Sequence, residues 1–290
     1  MQNSEELKQC LSRIKDNDYN ILDGVDVDST IAGMLKFIGH TDGELRDKLI
    51  YSTFYSWTFN GTISVTQMKH ILATCLGEQY LFFGIGERDT DSVFTRAFSS
   101  LAIALAFCLH EKTPFLTVTD VQGIKEALLL YVSREKDYRG YVDGKGWAHA
   151  VAHVADALGN MVCCEVAGKF CFDRPELLEI LDAVKTLVLC KDCIYTAEED
   201  ERLIFVINAV CACKILTNED LTAWIDSFNP TENEWWKGNV PNDYYLHVNR
   251  KNFLRSLYFN FLSPNDELEA VDPSAIAKHL LAFLTWRGLC

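Results

Sequence analysis

"VFTRAFSSLAI" (residues 93–103) and "GWAHAVAHVAD" (146–156) align one under the other with Arg96 above His149. The same register runs through "ELRDKLIYSTF" (44–54), "DERLIFVINAV" (200–210) and "NFLRSLYFNFL" (252–262). The aligned basic residues are Arg46, Arg96, His149, Arg202 and Arg255, spaced 50, 53, 53 and 53 residues apart. Each stands near the start of an apolar run with helical spacing, and an acid or amide precedes it (Asp42, Asp91, Asp143, Asp200, Asn249). Helix pairs that recur at this interval bury a continuous core only by stacking on their neighbours, which is the mark of an α-solenoid.

Outward from those runs, the periodicity predicts helices over 5–15, 28–39, 43–58, 65–76, 92–110, 118–133, 146–160, 175–190, 199–216, 218–228, 250–263 and 273–286. Turn signals such as "GHTDG", "FNGTIS" and "RGYVDGKG" separate them. The layout resembles HEAT and armadillo repeats, where an Asp before the second helix and an Arg near its start form a ladder. The expected fold is therefore all-α, an α-α superhelix of about five to six helix pairs forming one solenoid domain over 1–290. The exception is an irregular stretch at 229–248 carrying Trp235 and Trp236, read as a functional flap or, more simply, as a loop plugging the core edge.

With 41 acidic residues against 27 Lys and Arg, the net charge of −14 repels a phosphate backbone, so no nucleic acid is expected as a partner. The start "MQNSEELKQC" lacks a basic segment leading into an apolar one, and "AFSSLAIALAFCL" (97–109) is too short to span a bilayer. A cytoplasmic chain without membrane partners is expected, and the 11 irregularly spaced cysteines fit reduced thiols there.

Several segments, "GERDTDSVFTRAFSSLAIA" (86–104), "EKDYRGYVDGKGWAHAVAHVADAL" (135–158), "EDERL" (199–203) and "NFLRSLYF" (252–259), resemble a Gram-positive bacterial family known only as a domain of unknown function. The resemblance implies an all-helical repeat fold and brings no reaction, substrate or catalytic residue with it.

The densest polar chemistry lies at 139–158. On a helix, His149, His153 and Asp156 would fall within roughly a 60° arc. His149 and His153 then have the i, i+4 spacing that offers two imidazoles to one metal ion, with Asp156 behind His153. The zincin glutamate is absent, Ala150 standing in its place. A buried His–Asp network among small residues is the favoured reading, ahead of an anion contact and of a metal. Arg139, Tyr141, Asp143, Lys145 and Trp147 crowd the turn before this helix, and stacking is expected to align Arg96, His149, Arg202 and Arg255 on one surface. Such a row could hold a carboxylate or phosphate, but in so acidic a chain the favoured reading is that each Arg pairs with the Asp of its own or a neighbouring turn.

Other signals are weaker. "CKDC" (190–193) lacks the second cysteine pair of a zinc site, so its thiols read as small buried hydrophobes. "DVDST" (26–30) has the shape of an aspartate-nucleophile phosphatase without its sheet, and Asp28 or Ser29 is expected to cap a helix instead. Asp91 is expected to cap the helix carrying Arg96, and no G-x-S-x-G elbow occurs. The sequence thus points to a binding or scaffold protein. Its candidate surface is Arg96, Arg139, Tyr141, Trp147, His149, His153, Asp156, Arg202 and Arg255, its partner a protein, peptide or small anionic ligand, and no cofactor is expected. The alternative is a metal-dependent hydrolase with a divalent ion on His149 and His153.

Overall fold

A computed structural model describes residues 3–229, 237–262 and 271–286. They are mostly helical, and cluster into two compact units, residues 1–157 and 158–290. Trp235 and Trp236 lie outside the described residues.

The first unit opens with α1 (Ser4–Asp16), where the Asn3 side chain accepts from the Glu6 amide and Leu7, Leu11 and Ile14 form the buried stripe. Helix α2 (Val27–Lys36) is capped by Asp26, which accepts from Ser29 N; Asp28 and Ser29, expected as caps, lie inside the helix. A π-helical segment, Glu44–Tyr51, runs on into α3 (Ser52–Phe59). Next come α4 (Val65–Cys75), α5 (Ser92–Lys112) and α6 (Val118–Arg134). Helix α5 is apolar nearly all round and packs on α3 and α4. It has the length and composition to cross a membrane, yet 89% of its apolar window is buried among the other helices.

Helix α6 is followed by a hairpin the periodicity did not foresee. Strands β1 (Tyr141–Val142) and β2 (Gly146–Trp147) pair antiparallel, with Gly144 in the left-handed region (φ 72°) at the turn. Helix α7 (Ala150–Val162) begins three residues after Trp147, so the helix expected from residue 146 starts at 150.

In the second unit, β3 (Glu165–Val166) and β4 (Lys169–Phe170) form another hairpin, before α8 (Arg174–Val188), α9 (Glu199–Ala212), α10 (Asn218–Asp226), α11 (Asn242–Leu262) and α12 (Pro273–Trp286). Helix α9 packs on α8 and α11, and α12 on α10 and α11. Helix α11 starts eight residues before its expected position and absorbs the end of the stretch read as irregular. At the core of this unit, Trp224 donates its indole N–H to Leu181 O at 3.0 Å and sets its ring edge against Phe228, which stacks on Phe253.

The helices α4, α6, α8 and α10 all start in capping boxes, Ser64/Gln67, Thr117/Asp120, Asp173/Glu176 and Thr217/Asp220. Close approach is enforced elsewhere by glycine. A Cβ at Gly39 would meet Thr95 Oγ1 at 2.0 Å and Thr95 N at 2.5 Å, whereas one at Gly123 in α6 would meet nothing within 4 Å. Gly39→Ala is therefore expected to cost about 1–3 kcal/mol by overpacking. Gly123→Ala is expected to stabilise by up to about 1 kcal/mol through helix propensity. Urea midpoints of the two variants check both signs.

Candidate functional site

The residues leading into α7 are held by two arginines with no exposed surface. Arg46, on the π-helical segment, donates from Nη1 to His40 O (2.6 Å) and from Nη2 to Lys145 O (2.8 Å) and Trp147 O (2.9 Å). Its Nε lies 2.9 Å from Asp47 Oδ1, and the guanidinium sits over the Phe94 ring at 4.2 Å and the Phe98 ring at 5.0 Å. Asp47 in turn accepts from the Trp147 amide. Residues 46 and 47 thus hold the Trp147 backbone through its carbonyl and its amide. Burial pulls the Arg46 pKa below its ordinary value and lifts the Asp47 carboxyl above the usual carboxylate range. Gly43 and Gly146 allow this approach: a Cβ on Gly146 would stand 3.1 Å from Arg46 Nη2, and one on Gly43 would stand 3.0 Å from Lys145 O.

Arg96, on α5, is the second clamp. Its Nε and Nη2 make a two-pronged pair with Glu135 (2.7 and 2.8 Å), and Nη1 donates to Phe83 O, Gly84 O and Ser92 Oγ. Burial works against its charge, but Glu135 outweighs that and holds the pKa above the ordinary arginine value. Glu135 also accepts from the Lys136 and Asp137 amides. Asp137 carries the chain of bonds onward, accepting from Asp89 N and, through both oxygens, from Arg139, which also donates to Thr90 O at 2.7 Å. Asp91 stands at the N-cap position of α5, as expected, but its side chain makes no capping bond and pairs instead with Lys145 Nζ at 2.6 and 2.9 Å.

On this frame stands an aromatic stack. Strand pairing places Tyr141 opposite Trp147, and their rings meet edge to face, centroids 5.0 Å apart. His149 stacks on Trp147 at 4.2 Å and 28°, and His153 stands edge-on to His149 at 5.8 Å and to Phe98 at 4.8 Å. The series runs from surface to core: Tyr141 is 57% exposed, Trp147 40%, His149 half-buried and His153 buried.

The structure brings together Arg139, Tyr141, Trp147, His149 and His153, but not as one helix face. His149 precedes α7 in the left-handed region (φ 50°), its carbonyl accepting the first helical bond from His153 N at 2.9 Å, and the two imidazoles stand edge to face with centroids 5.8 Å apart. Asp156 is half-buried on α7, near Cys108, where burial first and nearby carboxylates after it push the thiol pKa up. Arg96 faces the core instead of an open surface. Arg202 is exposed and Arg255 half-buried, both in the second unit. Among the described residues no group of three or more His, Cys, Asp or Glu side chains converges to hold a metal ion.

Sequence reasoning singled out the register of Arg46 and Arg96 but missed their partners Asp47 and Glu135, and Asp137 as the partner of Arg139. The available signal was local: Asp47 follows Arg46 directly, and "EKD" at 135–137 closes the end of α6. Glu135→Gln would leave the Arg96 guanidinium buried without its counter-charge and is expected to cost about 3–5 kcal/mol. An unfolding midpoint within error of the parent protein would show that the pair does not hold this region.

A family model described as "Protein of unknown function (DUF2785)" matches residues 81–259, which include both ends of the Arg96–Glu135 pair and the whole aromatic stack. No curated protein and no solved structure matches the chain.

Proposed function

The chain belongs to the DUF2785 family of proteins of unknown function, and from its geometry we propose that it is a binding protein whose hairpin 141–147 receives a basic peptide segment of a partner protein. The observation that carries this reading is a pair of exposed aromatic rings, Tyr141 and Trp147, on a backbone fixed by a buried arginine. Exposed aromatic surface on a pre-ordered backbone is what an interface anchor requires, because little conformational entropy is lost on docking.

Charge favours a basic partner over a small anion. The cations around the hairpin are engaged: Arg46 by carbonyls and Asp47, Arg96 by Glu135, Arg139 by Asp137, and Lys145 by Asp91. Asp89 and Asp143 are exposed, on a chain of net charge −14. The exposed rings add a negative π-face for an incoming ammonium or guanidinium.

The same reading takes the 53-residue spacing as HEAT-like stacking of helix pairs in a cytoplasmic scaffold. Its support is the packing inside each unit, where α5 lies on α3 and α4, and α9 lies on α8 and α11.

Binding of the purified chain to an array of lysine- and arginine-rich peptides tests the proposal. Tyr141→Ala with Trp147→Ala is expected to weaken the best binder at least tenfold, on the scale of about 1.4 kcal/mol or more for anchor residues, and to leave the melting temperature within a few degrees. Equal binding by the double variant, or no basic peptide bound by the parent protein, would sink the reading.

A further inference from the structure

The second unit carries a feature unrelated to the hairpin. Cys190 and Cys193 lie in the connection between α8 and α9 with their sulfurs 4.0 Å apart. One side chain holds this turn closed: Asn249 of α11, buried, donates from Nδ2 to both Cys193 O (2.8 Å) and Cys190 O (3.3 Å) and accepts from Tyr195 N at 2.9 Å. Tyr195 closes the other flank by donating its hydroxyl to Leu187 O at 2.7 Å. A disulfide needs sulfurs about 2.05 Å apart, so the pair has about 2 Å to close from its 4.0 Å separation.

We propose that Cys190 and Cys193 form a reversible dithiol–disulfide couple that a peroxide oxidises. The two sulfurs share a hydrogen bond at 4.0 Å that, against burial, lowers the Cys190 pKa and pushes the Cys193 thiol up. The Asp192 amide also points at the Cys190 sulfur, at 3.4 Å. Cys190 is thus the thiolate and Cys193 keeps the proton. Only 4% of Cys190 is exposed, which selects an oxidant as small as a hydroperoxide over a bulky disulfide. In the first step the Cys190 sulfur attacks one peroxide oxygen; the O–O bond breaks, an S–O bond forms, and hydroxide leaves. In the second, the Cys193 sulfur attacks the sulfenic acid sulfur, the S–S bond forms, the S–O bond breaks, and its proton departs with the hydroxyl as water. The net change is two thiols and one peroxide to one disulfide and two waters. A shared metal ion is the less favoured use of the pair, because no third His, Cys, Asp or Glu among the described residues joins the two sulfurs.

Trypsin cuts after Lys185, Lys191 and Arg202 and separates the two cysteines into "TLVLCK" and "DCIYTAEEDER". The full chain, prepared reduced, is treated with one to five equivalents of hydrogen peroxide on the order of its own concentration, alkylated and digested. The expected product is the two peptides joined by a disulfide, formed before the other cysteines lose alkylation and removed by dithiothreitol. In Cys193→Ser the expected product is a dimedone adduct on Cys190. Full alkylation of both cysteines after peroxide, earlier oxidation of any other cysteine, or labelling of the other thiols in place of Cys190 in that variant would overturn the proposal.

Discussion

A guanidinium carries five N–H donors and a charge that cannot be shed, so burying it commits the surrounding chain to supplying acceptors. Arg46 directs its Nη1 and Nη2 donors to the carbonyls of His40, Lys145 and Trp147 and sets its Nε beside the Asp47 carboxylate as an ion pair. Two of those carbonyls lie about a hundred residues away in sequence. Arg96 does the same with Phe83, Gly84, Ser92 and Glu135. Irregular segments become fixed because the two buried charges draw on their carbonyls. The exposed Tyr141–Trp147 pair inherits its rigidity from this constraint, and the proposed binding role rests on it.

The helices were legible because burial stripes repeat at three and four residues, and the 50-residue interval between Arg46 and Arg96 marked the two residues on which the first unit depends. Pairing of each arginine with a nearby acid, the favoured expectation, holds at Arg46 with Asp47 and at Arg96 with Glu135, although Glu135 lies 39 residues from Arg96 in sequence. A row of arginines on open surface and an arginine buried among carbonyls give the same one-letter pattern, and only the positions of Glu135 and Asp137 tell them apart. The register also does not imply equivalence: Arg46 and Arg96 are buried, whereas Arg202 is exposed.

The site itself was half legible. Aromatic and basic residues crowding "RGYVDGKGW" flagged the place, but helical periodicity was carried too far back through it. The sequence "DG" at 143–144 is a hairpin signal, and the left-handed backbone at Gly144, Gly146 and His149 breaks the helix that Ala148 and Ala150 suggest. That four-residue difference turns an imidazole pair on one helix face into a stack running from Tyr141 inward to His153. Likewise, "CKDC" reads as two small hydrophobes until Asn249, more than fifty residues on, is seen to hold the turn that sets the sulfurs face to face.

Amide hydrogen exchange on Arg46→Met tests the dependence of the hairpin on the buried guanidinium most directly. Methionine keeps much of the apolar stem in place and removes only the donors and the charge. The account predicts that amides 140–149 lose protection by at least tenfold while those of α8 and α9 keep theirs, the open population of the hairpin rising by about 1.4 kcal/mol or more. Unchanged exchange over 140–149 in a folded variant would contradict it, showing that the aromatic pair is held by something other than Arg46.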